Sequence, residues 1–203
     1  MRTRQHVNPL GPSFEVFRGE LPRLERGRPV EIEVGCADAQ FLFELAARDP
    51  DRTYLGFEVR DVLVDAVNRR ACAQGVPVQA IFANANLHMD KVLPPDRVDR
   101  VYVNFPDPWF KTRQRKRRMV DEMLARAIHA VCRPGAEVFF QSDVWSLAID
   151  ALAVFEMCEE LFRNQAGPWS FWKEGNPYGA RSWREENAEA EGMKIWRLRY
   201  IVI

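Results

Sequence analysis

From residue 29 to about 162, short β-branched runs alternate with amphipathic helical stretches. That alternation constrains the fold more than any other feature of the chain. "VEIEVG" (30–35) predicts a strand ending at Gly35, and "AQFLFELAARD" (39–49) predicts the helix after it. "TYLGFEV" (53–59) predicts a second strand, followed by a helix over "DVLVDAVNRRACAQG" (61–75) that Gly75 closes. "PVQAIFA" (77–83) and "DRVYVNF" (99–105) read as further strands. Val120, Met123, Leu124, Ala127, Ile128 and Val131 fall on one helical face. Pro134–Gly135 then turns the chain into the strand "AEVFFQSD", and "LAIDALAVFEMCEELF" (147–162) predicts the last long helix. This order predicts an α/β, Rossmann-like fold: a doubly wound, mostly parallel sheet with helices on both faces. The tail departs from it. Residues 174–192 read as an irregular polar loop, and "KIWRLRYIVI" (194–203) alternates as an antiparallel edge strand. No repeat or linker divides the chain, so 1–203 reads as one domain with an N-terminal extension over 1–28.

Charge matters here through its distribution. Lys plus Arg and Asp plus Glu both number 29, yet Lys111, Arg113, Arg115, Lys116, Arg117 and Arg118 crowd into eight acid-free residues. The remainder then holds 23 cations against 29 anions, a balance of −6. A basic island on a mildly acidic body points to local recognition of an anion, with an ordinary solvated charge run as the alternative. Cys36, Cys72, Cys132 and Cys158 form no C-x-x-C pair and read as reduced thiols. Neither they nor the scattered His6, His88 and His129 have metal-ligand spacing, so no metal is expected. The N-terminal "MRTRQHVNPLGPSF" lacks the apolar core of a signal peptide, and no run is long enough to cross a bilayer. The expectation is a soluble, cytoplasmic protein.

In open α/β sheets ligands sit beyond the carboxyl ends of the strands. That rule picks out Glu33 to Gly35, Glu58, Asn84, Asp107 and Asp143, and four of these five places carry an acid. Glu58 follows Gly35 by 23 residues, where a carboxylate accepts hydrogen bonds from both hydroxyls of a ribose. The turn after the first strand, "VGCADAQF", has one glycine in place of G-x-G-x-x-G. Pyrophosphate needs more glycines than that, and acidic strand ends repel it. A nucleoside carrying positive charge suits the pattern, and S-adenosylmethionine with its sulfonium fits. The plain alternative is a set of ordinary strand-end acids.

In "NFPDPWFKTRQRKRR" (104–118), Pro106 and Pro108 fix two φ angles and push the residue before each into an extended conformation. Asp107 is therefore restrained from both sides and aimed. Trp109 is placed to wall a pocket or stack on a base. The arginines that follow suit bidentate phosphate contacts, and an acid accepts hydrogen bonds from the N–H edge of guanine.

This stretch resembles the signature F-P-D-P-W-x-K-x-R-H-x-K-R-R of the bacterial tRNA (guanine-N7)-methyltransferase family. The resemblance runs from about residue 29 to the end: "EIEVGCADAQFL" matches the first cofactor motif, "YLGFEVR" its G-x-E, "NA" (84–85) its D-A and "QSDVW" its T-D. It implies a class I S-adenosylmethionine-dependent methyltransferase that methylates guanine N7 in tRNA, in the variable loop. It also implies that Glu33, Gly35, Glu58, Asn84, Ala85 and Asp107 line the cofactor site, with Asp107 also catalytic. Lys111 and Asp143 would contact substrate, as would Ser182 and Glu185, since "SWRE" best matches the late T-x-[FY]-E element. Arg113, Arg115, Lys116, Arg117 and Arg118 would meet tRNA phosphates.

The departures are specific. Two cofactor-loop glycines are Ala37 and Ala39, the acid of D-A is Asn84, the His of R-H-x-K-R-R is Gln114, and the late aromatic is Arg184. Ala disfavours positive φ, so a divergent paralogue with an altered cofactor loop and weaker cofactor binding is expected. Two other readings stay open at this point: a protein that binds tRNA without methyl transfer, and a small-molecule methyltransferase. Monomer and homodimer are equally open.

Overall fold

A computed structural model describes residues 11, 16, 17, 19–111, 113 and 117–203. The order is β1 (Val30–Val34), α1 (Gln40–Arg48), β2 (Thr53–Glu58), α2 (Asp61–Gln74), β3 (Val78–Phe82), α3 (Ala85–Val92) and β4 (Val98–Asn104). Then follow α4 (Glu122–Val131), β5 (Cys132–Ser142), α5 (Trp145–Glu156), β6 (Phe162–Asn164), α6 (Trp183–Ala190) and β7 (Trp196–Val202). The strands lie in the order β3-β2-β1-β4-β5-β7-β6. The first five are parallel, and β7 runs antiparallel to both β5 and β6. The doubly wound, mostly parallel sheet is the predicted one. The C-terminal strand is antiparallel as expected but lies one place in from the edge, because β6 covers its outer side.

Three elements differ from the sequence reading. The last long helix, expected to run to Phe162, ends at Glu156, and Phe162 opens the short strand β6. Residues 85–92, given no element, form α3, whose first free N–H groups are met by Asn84: its side chain accepts from Asn86 N at 3.0 Å. The supposedly irregular 174–192 contains α6, capped by Ser182, whose Oγ accepts from Glu185 N at 3.2 Å. Ser-x-x-Glu is a helix-start pattern, and here it starts a helix.

The central strands carry two chemistries, one per face, because side chains alternate along a strand. Val30, Ile32 and Val34 of β1, Val101 and Val103 of β4, Val138 and Phe140 of β5 and Leu198 and Tyr200 of β7 join one core with helices α3, α4 and α5. The other face of the same strands is polar. Glu31, Arg100, Glu137 and Arg199 form one row of ion pairs across it, with the Tyr102 hydroxyl donating to Glu31 at 2.6 Å. Glu33, Asn104, Gln141 and Arg197 form a second row nearer the carboxyl ends. α1 and α2 pack on this face beside β1 to β3, while Trp172, Tyr178, Ala180 and the buried Glu185 of α6 sit over its polar half. The C-terminal segment is thus the lid of a charged sheet face that no apolar helix could cover. Of the N-terminal extension, residues 19–28 have no strand or helix, and Leu24 packs on the first core.

Candidate active site

The carboxyl ends of β1, β2 and β4 open into a cavity of about 350 Å³. It lies where strand order reverses between β1 and β4, the position ligands take in sheets of this kind. Glu33, Gly35, Glu58, Asn84, Ala85 and Asp107 all line it. These residues span more than seventy positions of sequence, and the fold brings them to one place.

Glu33 is 3% exposed. Its Oε1 accepts from Asn104 Nδ2 at 2.8 Å, while Oε2 is buried with no hydrogen-bond partner among the described residues. Burial pushes its pKa up to about 8; the Asn104 hydrogen bond opposes this, and the neighbouring Asp38 and Glu58 carboxylates add to it. A buried carboxyl oxygen without a partner, on a residue that lines the cavity, suits a donor or a cation.

Glu58 is the opposite case. Oε1 accepts from the backbone N–H groups of Val59 (2.8 Å) and Arg60 (3.1 Å) and from Arg60 Nε (2.9 Å). Oε2 accepts from Ala37 N at 2.9 Å and Arg60 Nη2 at 2.7 Å. Five donors occupy the carboxylate, so Arg60 stands where a ribose would reach it.

The loop between β1 and α1 corrects an expectation. Ala37 and Ala39 hold φ of 51° and 54°, the left-handed region glycine favours. The loop keeps a glycine-like shape with alanines in it, at a cost of roughly 1–2 kcal/mol each. Two true glycines make this course possible. A Cβ on Gly35, itself at φ 76°, would come within 2.8 Å of Met119 Cε, and a Cβ on Gly56 would overlap the Cys36 side chain. Burial holds the Cys36 thiol well above its ordinary pKa, so it packs as an inert group.

Asp107 is exposed on the cavity rim, between two strained residues: Phe105, expected to be extended ahead of Pro106, instead has φ 47°, and Trp109 has φ 42°. Positive φ in bulky aromatics persists only where surroundings enforce it, so the elbow is rigid for more reasons than its prolines. Of the basic run, Lys111 and Arg113 are exposed, and Arg117 lies over the Trp109 ring at 5.1 Å. Arg118 differs from the phosphate-contact expectation. It is turned inward, ion-paired with Asp150, and donates to Ser146 Oγ (3.0 Å) and to the Pro108 carbonyl (3.3 Å). Arg115 and Lys116, with Gln114, lie outside the described residues.

On the far side, Ser182 and Arg184 line the cavity, and Arg184 pairs with Asp143. Arg184, at the place where the resemblance implied an aromatic, neutralises the acid expected to meet substrate. Glu185 is fully buried and holds Arg197 Nη2 (3.0 Å), Asn176 Nδ2 (2.9 Å) and Gln141 Nε2 (2.8 Å). It stands behind the cavity wall. Arg60, Asn104, Gln141 and Arg197 were all missed in the sequence, and Arg118 was given a different role. The alternation in "RVYVN" and "WRLRY" was the available signal, since polar residues at every second place in buried strands must find partners across the sheet.

The chemistry of the lining suits a cationic nucleoside. Its acids include Glu33, Asp38, Glu58 and Asp107, while Arg60, Arg118 and Arg184 are each paired with a carboxylate of the chain. A phosphate would meet the acids, and a cation with hydroxyls would satisfy them. Comparison with known proteins agrees. Residues 27–198 match a family model described as "Putative methyltransferase". The tRNA (guanine-N(7)-)-methyltransferase of Synechococcus sp. strain WH7803 is 38% identical, the match covering 97% of this chain and 86% of the relative. The enzyme of that name in Synechococcus elongatus is 35% identical over 99% and 96%. Among solved structures, a SAM-dependent methyltransferase from Aquifex aeolicus superposes with TM-score 0.60 at 10% identity, covering 86% of this chain and 82% of that one. The 16S rRNA methyltransferase KamB gives 0.59 at 15%, over 86% and 88%. With this fold, this cavity and these relatives, the chain belongs to the tRNA (guanine-N(7)-)-methyltransferase family.

Proposed function

We propose that this protein transfers the methyl group of S-adenosylmethionine to N7 of a guanine in tRNA, in the variable loop. The observation that carries the reading is the convergence of Glu33, Glu58, Asn84 and Asp107 on one cavity that Arg117 of the basic run also lines. A tRNA substrate puts its work in the cytoplasm.

When bound, S-adenosylmethionine supplies an electrophilic methyl on a positively charged sulfur. Guanine N7 already has an in-plane lone pair, so no residue need act as a base. Transfer would form the N7–C bond as the C–S electron pair returned to sulfur, leaving the purine cationic. The chain's task is then orientation and charge placement. Glu33 offers its open oxygen to the cofactor's positive end. Glu58 takes the ribose hydroxyls once Arg60 yields, and Asn84 takes the base edge beside Ala85. Asp107, held by the elbow, accepts from the guanine N–H edge and stabilises the positive charge that forms on the ring. Lys111, Arg113 and Arg117, with Arg115 and Lys116, hold backbone phosphates, and Arg118 buttresses the elbow from beneath. Asp143 and Ser182 meet the substrate from the opposite wall, with Glu185 fixing that wall from behind.

Unmodified tRNA incubated with the protein and methyl-labelled S-adenosylmethionine, then digested to nucleosides for mass spectrometry, tests this. Label in 7-methylguanosine is the expected result. No label would remove the reading and leave tRNA binding without chemistry, and label in another nucleoside would move the reaction to a different atom.

A further inference from the structure

The upper polar row of the sheet links the two ends of the cavity through residues that have no place in the chemistry above. Asn104 and Gln141 are register partners on β4 and β5, as are Gln141 and Arg197 on β5 and β7. Gln141 is fully buried. Its Oε1 accepts from Arg197 Nε at 3.1 Å, and its Nε2 donates to Glu185 Oε2 at 2.8 Å and to Asn104 Oδ1 at 3.0 Å. Asn104 Nδ2 donates in turn to Glu33 Oε1 at 2.8 Å.

The direction of each bond in this string is forced. A guanidinium only donates and a carboxylate only accepts. Lying between Arg197 and Glu185, the Gln141 amide has one permitted orientation, since the reverse sets NH₂ against guanidinium and oxygen against carboxylate. Its remaining N–H must then face Asn104 Oδ1, which turns the Asn104 NH₂ toward Glu33. Glu33 Oε1 is thereby an acceptor in both protonation states, and any proton it carries rests on Oε2, the oxygen with no partner among the described residues. Glu185 opens the first turn of α6, immediately after Trp183 and Arg184 of the cavity wall. The string therefore joins the cofactor-side acid to the helix forming the opposite wall.

We propose that Asn104 and Gln141 are positioning residues, a directed hydrogen-bond relay through which Glu33 and Glu185 set each other's orientation and the two walls of the cavity are coupled. The ligand used to test it rests on the proposed function. Calorimetric titration of S-adenosylhomocysteine onto wild type, Glu33→Gln, Glu185→Gln and the double variant closes a double-mutant cycle. The two carboxyls are separated by two amides, so without a relay their effects on Kd multiply to within about twofold. The relay predicts a departure from that product of about threefold or more, and a multiplicative result overturns it. Gln141→Leu, away from the cavity, is a second arm: the relay predicts about threefold weaker binding, and unchanged binding overturns it. Should that variant not fold, the isosteric Gln141→Glu, which reverses the bond to Asn104, serves with the same expectations. Failure of wild type to bind the ligand would sink the proposed reaction instead. The relay is then read in the ligand-free protein from the Glu33 titration in ¹³C-labelled protein. Gln141→Leu must move that titration upward by removing the constraint that turns the Asn104 donor toward Glu33; an unmoved titration overturns the relay.

Discussion

Arg118 donates to the Pro108 carbonyl at 3.3 Å while its guanidinium pairs with Asp150. The last cation of the basic run therefore belongs to the elbow, whereas Lys111 and Arg113 are exposed and Arg117 lies over the Trp109 ring. Arg118→Ala should cost about 1–3 kcal/mol in stability, since charged hydrogen bonds are lost from a largely buried side chain. It should slow methyl transfer at least tenfold yet leave the salt dependence of tRNA binding unchanged. Arg113→Ala with Arg117→Ala should do the reverse, making the log–log salt slope shallower by about one to two units. Urea melts and filter binding at several salt concentrations check both. A slope change in Arg118→Ala would return that residue to the phosphate contacts.

Ala37 and Ala39 already hold glycine-like angles. Ala37→Gly should therefore stabilise the protein by about 1 kcal/mol, relief of left-handed strain exceeding the extra unfolded-state entropy. Ala39 is fully buried, so the same change there should net close to zero as its methyl contacts are lost. S-adenosylhomocysteine affinity should stay within about twofold for Ala37→Gly, because the loop need not change shape. Denaturation and calorimetry decide it; destabilisation by Ala37→Gly would contradict the assigned strain.

Arg60 occupies both oxygens of Glu58. Admitting a ribose means breaking that pair. Partly exposed pairs contribute about 0.2–1 kcal/mol, so Arg60→Gln should tighten S-adenosylhomocysteine binding by up to about fivefold. Weaker binding by the variant would make Arg60 a ligand contact in its own right.

The pKa of Glu33, pushed up to about 8 by burial, makes stability and binding depend on pH in opposite senses. Its neutral form is the one the fold favours. That contribution is complete below the ordinary value near 4.5 and is lost as pH rises through about 8. Melts should lose stability across this window by an amount on the order of 1 kcal/mol or more, and Glu33→Gln should flatten the loss. The facing charges, Asp38 and Glu58, are carboxylates that deepen the effect, and Arg60 is held on Glu58. A cationic ligand favours the charged form, so S-adenosylmethionine affinity should rise from pH 6 to pH 8 with proton release. A flat affinity would place the ligand's charge elsewhere.

The parallel half of the sheet was legible because buried strands and amphipathic helices announce themselves by period, and the strand-end rule then gathered Glu33, Glu58, Asn84 and Asp107 unaided. What stayed hidden depended on partners remote in sequence. β6 has three residues and continues a helical pattern, so nothing local ends the helix before it. α6 opens with Ser182-x-x-Glu185, a legible start signal, but its polar residues read as loop because what they cover, the charged sheet face, is itself hidden in alternation. Arg118 and Arg184 look like surface cations until Asp150 and Asp143 are beside them. The left-handed alanines show the converse: residue type argued against a loop shape that the surrounding packing enforces.

The central claim is that a rigid elbow aims Asp107 at the reacting guanine. Single-turnover methyl transfer at saturating tRNA, for wild type and Asp107→Asn with filter-binding affinities alongside, tests it most directly. The substitution keeps the side chain's size and removes one charge. Phosphate contacts dominate affinity, so tRNA binding should match wild type or improve slightly, while the rate should fall on the order of a hundredfold. An Asp107→Asn variant that methylates guanine N7 at the wild-type rate would contradict the account, leaving the elbow as packing alone.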